Sequence, residues 1–143
     1  YLDDRPVACL GWGSAAWKVA SRDQLIGWNR EQRERNLAKV VNNVRFLILP
    51  WVNIRHLASK VLALNIRQLE RDWFSFYREP ICLLETFVET GRFQGTCYRA
   101  ANWSKVGETT GRGKYDRNYQ RSEPVKAVFL YPLNKKFREQ LHG

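Results

Sequence analysis

Residues 107–114 read GETTGRGK, three glycines ahead of a lysine, which is the composition of a phosphate cradle. The spacing excludes a P-loop. Five residues, not four, separate Gly107 from the Gly113–Lys114 pair, and Tyr115 follows where a Ser or Thr would meet magnesium. No helical pattern follows, so the row of amides and the helix dipole that hold a phosphate are missing. What the loop offers instead is Arg112, Lys114, Tyr115 and Arg117, with Tyr119 and Arg121 behind them. Cations of this kind neutralise phosphates, and tyrosines stack on exposed bases. Lys60, Arg67, Arg71 and Arg78, spaced seven, four and seven apart, make a second basic set on one helix face. The plain alternative for both is a solvated surface, and for the loop a hairpin excursion between two strands.

The acids point less clearly to chemistry. Asp23, Asp72, Glu85 and Glu89 offer carboxylates for metal-dependent nuclease work. Glu85 falls inside an apolar strand, however, where a charge facing inward needs a partner. A structural salt bridge from Arg22 or Arg99 is the favoured reading, and an active-site acid the other. Arg22 and Asp23 read as a helix cap with its neighbour. Cys97 has no histidine near it in sequence, so a nucleophile there requires His56 to arrive through the fold, and His56 reads as structural. Cys9, Cys82 and Cys97 are odd in number and scattered, which argues against a disulfide framework and for a reducing, cytoplasmic setting. No CxxC motif or Cys/His cluster marks a zinc site.

A net charge of +10, from 24 basic and 14 acidic residues, favours polyanionic partners: DNA, RNA or an anionic cofactor. The 143 residues suit one domain, and 44% hydrophobic content suffices for a core. No apolar run reaches the roughly 20 residues of a membrane helix, so no membrane partner is expected. The chain contains no methionine and does not open on one, which predicts a piece of a longer protein.

These residues need elements to position them. Residues 7–19 read as one or two strands, with Gly11 and Gly13 marking a bulge or a close backbone approach. The stretch NREQRERNLAKVVNN reads as a charged helix, with Leu37, Val40, Val41 and Val44 as its apolar edge and Asn42–Asn43 as its stop. RFLILPWV, 45–52, is a continuous apolar run that fits a buried strand ending or splaying at Pro50. A long helix over about 55–76 carries a wide apolar stripe of Leu57, Val61, Leu64 and Leu62, Ile66, Leu69, Trp73, Phe76. A second buried strand follows at 81–88, closing a strand–helix–strand unit. A short helix at about 95–102, strands in WSKVGET and VKAVFLYPL, and a final short helix in the tail complete the chain.

That order resembles the second half of the GNAT acyltransferase fold: a mixed α/β sheet with a central strand–helix–strand unit, a short helix and a C-terminal strand pair. In that family the short helix carries a Tyr-x-x-x-Gly-Phe pattern, and YRAANW matches it with Asn102 for Gly and Trp103 for Phe. The resemblance implies an acyl-coenzyme A-dependent N-acyltransferase, with Tyr98 as the general acid that protonates the departing thiolate. It also implies a pyrophosphate-binding turn between the first strand and the long helix. Here that segment is PWVNIRHLAS, without glycine, leaving Arg55 to offer charge and Asn53 to cap the helix.

A closer resemblance runs over residues 8–141. CLGWGSAAWKVASRDQLIGW, NVRFLILPWVNIRHLAS, LLETFVE, GTCYRAANWSKVGETTGRGK and YPLNKKFREQL resemble the DruA-type domain, found in Druantia anti-phage systems and fused N-terminal to DDE-type transposases. The resemblance implies mobile-element or defence biology with DNA nearby, and defence-system or transposase proteins as partners. The expectation is a single domain that binds DNA through a basic surface without proven catalysis. The alternatives are the acyltransferase and a protein-interaction module. Six tryptophans favour the last if several are exposed, and burial of Trp12, Trp28 and Trp51 together would count against it.

Overall fold

A computed structural model describes residues 4–49, 51–52, 54, 56–91, 95–109 and 124–143. Strand β1 (Ala8–Ser14) is followed by two short helices, α1 (Ala20–Ile26) and α2 (Arg30–Asn36), and a 3-10 turn at Leu37–Lys39. Strand β2 (Val40–Ile48) leads to the long helix α3 (Leu57–Tyr77), and β3 (Leu83–Glu89) returns beside β2. Helix α4 (Thr96–Ala100), strands β4 (Ser104–Glu108) and β5 (Lys126–Pro132) and helix α5 (Phe137–His142) complete the described elements. The five strands form one mixed sheet in the order β1-β2-β3-β5-β4, with β2 and β3 parallel and the other pairs antiparallel.

Alternate strand residues face opposite sides, so the sheet carries two cores. Leu84 and Val88 of β3 join Leu62, Ile66 and Leu69 of α3 and Tyr98 of α4 on one face. Leu83 of β3 joins Ile26 of α1, Val128 and Leu130 of β5 and Phe137 and Leu141 of α5 on the other. Burying one leucine fully, as at Leu62, contributes about 1.5–3 kcal/mol.

Two expectations need correction, and one helix had none. Val40 and Val41 open β2; they do not extend the preceding helix, which stops at Asn36. They are 1% and 0% exposed and pair with Leu83 and Leu84, and that buried pairing overrides their helix-like spacing. The helix without an expectation is α1, ended by Gly27 at φ 74°, a left-handed turn that glycine makes without strain. The second correction is that the buried stripe of α3 is narrower than its apolar residues suggest, because Leu64 and Phe76 are 62% and 79% exposed.

The elements begin and end for local reasons. Asn29 caps α2 through a reciprocal box, its side chain accepting from Gln32 N and the Gln32 side chain accepting from Asn29 N, worth about 1 kcal/mol. In β1, the register shifts between Gly11 and Trp12: Gly11 faces Arg45 while Trp12 faces Asn43. Val44 is therefore the extra residue of a bulge in β2. Its methyls lie against Gly11 and Gly13, where added Cβ atoms would stand at ordinary contact distances of 3.5 Å and 3.4 Å, and the tighter approach at Gly11 is to Arg45 Cβ, at 3.3 Å. No helix among the described residues is long and apolar enough to cross a membrane.

Candidate functional site

The bulge sits where the sheet opens. Strands β2 and β3 pair only from Val40–Leu83 to Asn42–Glu85; beyond that, β2 pairs with β1 and β3 with β5, but not with each other. An extra residue bends and twists a strand, which accounts for the separation starting at Asn43 and Val44. A cavity of about 550 Å³ fills the gap, lined by Arg45, Phe46 and Ile48 from β2 and by Thr86 and Val88 from β3. Ala58 of α3, Thr96, Cys97 and Tyr98 of α4, and Lys126 at the start of β5 close it.

Tyr98 is at the point of divergence. Its hydroxyl donates to Asn43 Oδ1 at 2.6 Å, and the Asn43 amide donates in turn to Gly11 O at 3.1 Å and Arg45 O at 3.2 Å. Thr86 Oγ1 donates to Asn43 O at 3.0 Å, tying β3 to the same residue. One asparagine thus spans the bulge, holds both strands at their divergence and orients the tyrosine. The Tyr98 ring stacks on Phe129 and meets Phe46 and Trp103 edge-on. This apolar surround pushes the Tyr98 pKa up to about 12, so the hydroxyl keeps its proton near neutrality. Gly95 precedes α4 at φ 70°, and a Cβ there would lie 2.6 Å from the Phe129 ring, so glycine lets this ring and α4 approach.

The second candidate acid faces the other way. Glu85 is fully buried on the α1 side of the sheet, opposite Tyr98, so the two do not form one site. Glu85 Oε1 takes Arg22 Nη1 at 2.6 Å and Oε2 accepts from Ala16 N at 3.1 Å. Asp23 binds the same guanidinium through Arg22 Nε at 3.0 Å and Nη2 at 2.9 Å, and it accepts from Val19 N at the start of α1. Arg22 thereby stands between two of the acids weighed for metal chemistry. Asp72 is elsewhere, exposed on α3 and bonded to Gln68, and Glu89 lines the cleft. Arg99 lies over the Phe129 ring instead of pairing with Glu85. Among the described residues no group of three or more His, Cys, Asp or Glu side chains can hold a metal ion.

Cys97 lines the cleft beside Tyr98, and burial raises its pKa, which keeps it a thiol and a poor nucleophile. Lys60, Arg67, Arg71 and Arg78 are all exposed, the first three along α3 and Arg78 at its left-handed C-cap. Asn53, Arg55, Arg112, Lys114, Tyr115 and Arg117 lie outside the described residues. Trp28 is buried, Trp12 is half-buried with its indole N–H on Asn65, and Trp51 and Trp17 are 42% and 52% exposed. Asn43 was not legible as a site residue: its partner Tyr98 lies 55 positions away, and only the glycine pair in β1 hinted at the bulge it spans.

With the geometry in place, comparison with known proteins adds one finding. The family described as Druantia protein DruA matches residues 2–123. No curated protein matches the chain.

Proposed function

We propose that this chain, which belongs to the DruA family and carries that family's association with anti-phage defence, is a GNAT-like acyl-transfer module. The observation that carries the reading is the parting of two parallel strands at a bulge, with a protonated tyrosine hydroxyl at the apex of the gap. The strand order and the short helix carrying Tyr98 support a GNAT-like topology. A cleft of about 550 Å³ is within the usual range for a small-molecule site.

The residues present fit coenzyme A at the thioester end of the cleft. The segment before α3 has no glycine, but His56 adopts φ 59° there, the left-handed turn for which glycine is the usual choice. Among the described residues no side chain caps the first turn of α3, and Ala58 of that turn lines the cleft, so backbone amides near it suit the anionic part of such a ligand. Coenzyme A, when bound, supplies the acyl group as a thioester. Tyr98 is the candidate donor of a proton from Oη to the departing sulfur; that proton rests on Asn43 Oδ1 and has to turn from it when the ligand is bound. The test is a thermal shift with coenzyme A, together with acyl transfer by Tyr98→Phe. A shift at millimolar coenzyme A and loss of turnover in the variant support the reading; no shift ends it.

Nucleic-acid association through a basic surface is the second reading, favoured by the exposure of Lys60, Arg67, Arg71 and Arg78 in a chain of net charge +10. It predicts DNA or RNA binding that weakens steeply with salt. Binding absent at low salt, or indifferent to salt, removes it. Exposed Trp17 and Trp51 leave an interaction role inside a larger defence or transposition assembly as a further alternative.

A further inference from the structure

A second cavity, of about 340 Å³, opens between α3 and α4 and shares no lining residue with the cleft. We infer that it is a phosphate-binding site, with Lys60 and Arg67 as its paired cations. The two residues are seven apart on α3, so they stand on one helix face roughly 10 Å apart along its axis. Both line the cavity, and neither side chain has an ion-pair or hydrogen-bond partner among the described residues. Arg45, Arg71 and Arg78 also lack such a partner among the described residues, but none of them lines this cavity, and the remaining described arginines are occupied. Arg22, Arg30 and Arg33 meet carboxylates, Arg35 and Arg138 meet backbone carbonyls, and Arg5 and Arg99 lie over rings.

The remainder of the lining selects for an anion. Among the described residues it contains no carboxylate, while Ser59, Asn102 and Tyr131 bring hydroxyls and an amide. Small residues, Ala63, Ala100 and Ala101, keep the groove hollow. The carbonyl end of α4 lies nearby, but a five-residue helix carries little dipole, and the two cations outweigh it. An arginine fork beside a lysine point charge suits the tetrahedral oxygens of phosphate better than a planar carboxylate. The phosphate belongs either to a nucleic-acid strand or to a free phosphorylated small molecule. The inference shares Lys60, Arg67 and phosphate chemistry with the nucleic-acid reading, and it is independent of the acyl-donor cleft.

Titration calorimetry of the full chain at low salt, with inorganic pyrophosphate and with a short single-stranded DNA oligonucleotide, tests it. The variants are Lys60→Gln and Arg67→Gln, with Lys135→Gln as an equal charge change at an exposed residue outside the cavity. Each cavity variant is expected to weaken binding about tenfold or more, and the control by less than about twofold. Whichever probe shows that pattern identifies the source of the phosphate. Failure of both probes to bind, or equal losses in all three variants, overturns the inference. Both probes bound equally by parent and cavity variants also overturn it, and oligonucleotide binding of that kind would leave DNA contact to basic residues outside the cavity.

Discussion

The Tyr98 hydroxyl donates to Asn43 Oδ1 across 2.6 Å at the point where β2 and β3 separate. The same asparagine bridges the bulge through Gly11 O and Arg45 O and receives Thr86 through its backbone carbonyl. The residue that bridges the bulge beside the cleft therefore also holds the tyrosine hydroxyl in place. A bulge held by a buried side chain is fixed in place, so the cleft is part of the resting fold.

Asn43→Ala removes three hydrogen bonds at a site 4% exposed and leaves the Tyr98 hydroxyl and two carbonyls without that partner. At about 1 kcal/mol net for each bond, the variant should lose about 2–4 kcal/mol, read from its urea midpoint. Tyr98→Phe keeps the ring packing and strands only Asn43 Oδ1, so it should lose about 1–2 kcal/mol and remain folded. That difference makes Tyr98→Phe the cleaner probe of acyl transfer.

Alkali should destabilise the protein through two overlapping titrations. Burial raises Cys82 from 9.0 to about 11 and Tyr98 from 10.0 to about 12. Each group binds its proton more tightly folded than unfolded, so the stability linked to it is whole below the unfolded pKa and falls as pH rises through the folded one. Losses should begin near pH 9 from Cys82 and near pH 10 from Tyr98, reaching about 2 kcal/mol for each. Denaturant midpoints from pH 8 to 12 should show the decline. Cys82→Ala should remove the first part and Tyr98→Phe the second.

Much of this fold was readable because its central strands and long helix carry strong periodic signals. The apolar runs within β2 and β3 and the repeat of Leu62, Ile66 and Leu69 appear where pattern placed strand and helix, while the glycines of β1 lie opposite a bulge whose extra residue, Val44, belongs to β2. The start of β2 was hidden because Leu37, Val40, Val41 and Val44 also match a helical edge, and only pairing with β3 decides between the two. Helix α1 was hidden because it spans seven residues and buries only Arg22 and Ile26, one of them a charge whose partner is 63 positions away. The same limit concealed Asn43. Its polar contacts depend on a junction of β1, β3 and α4, and no local spacing encodes that junction.

Arg22 and Glu85, both without exposed side-chain surface, should prove strongly coupled. Arg22→Met leaves a buried carboxylate without its cation, and Glu85→Leu leaves the guanidinium with Asp23 and backbone carbonyls. The first should cost about 3–5 kcal/mol and the second somewhat less. The double variant should cost clearly less than their sum. A cycle of denaturation midpoints giving a coupling below about 0.5 kcal/mol would show that the two groups act independently.

Three glycines should separate by the space around them. A Cβ on Gly107 would lie 2.5 Å from Ser21 Cβ, at the contact of α1 with β4. A Cβ on Gly95 would meet Phe129 at 2.6 Å and also impose a side chain on a backbone at φ 70°. Gly91 has nothing within 4 Å and no positive φ. Gly95→Ala combines overpacking with backbone strain and should lose about 2–4 kcal/mol; because Phe129 stacks on Tyr98, the loss should come with a changed near-ultraviolet circular dichroism signal. Gly107→Ala should lose about 1–3 kcal/mol through the displaced α1 contact alone. Gly91→Ala should be neutral or slightly stabilising, since it only restricts the unfolded chain. Thermal melts of the three variants check the order, and a Gly95→Ala protein as stable as Gly91→Ala would mean that α4 does not sit against Phe129 as described.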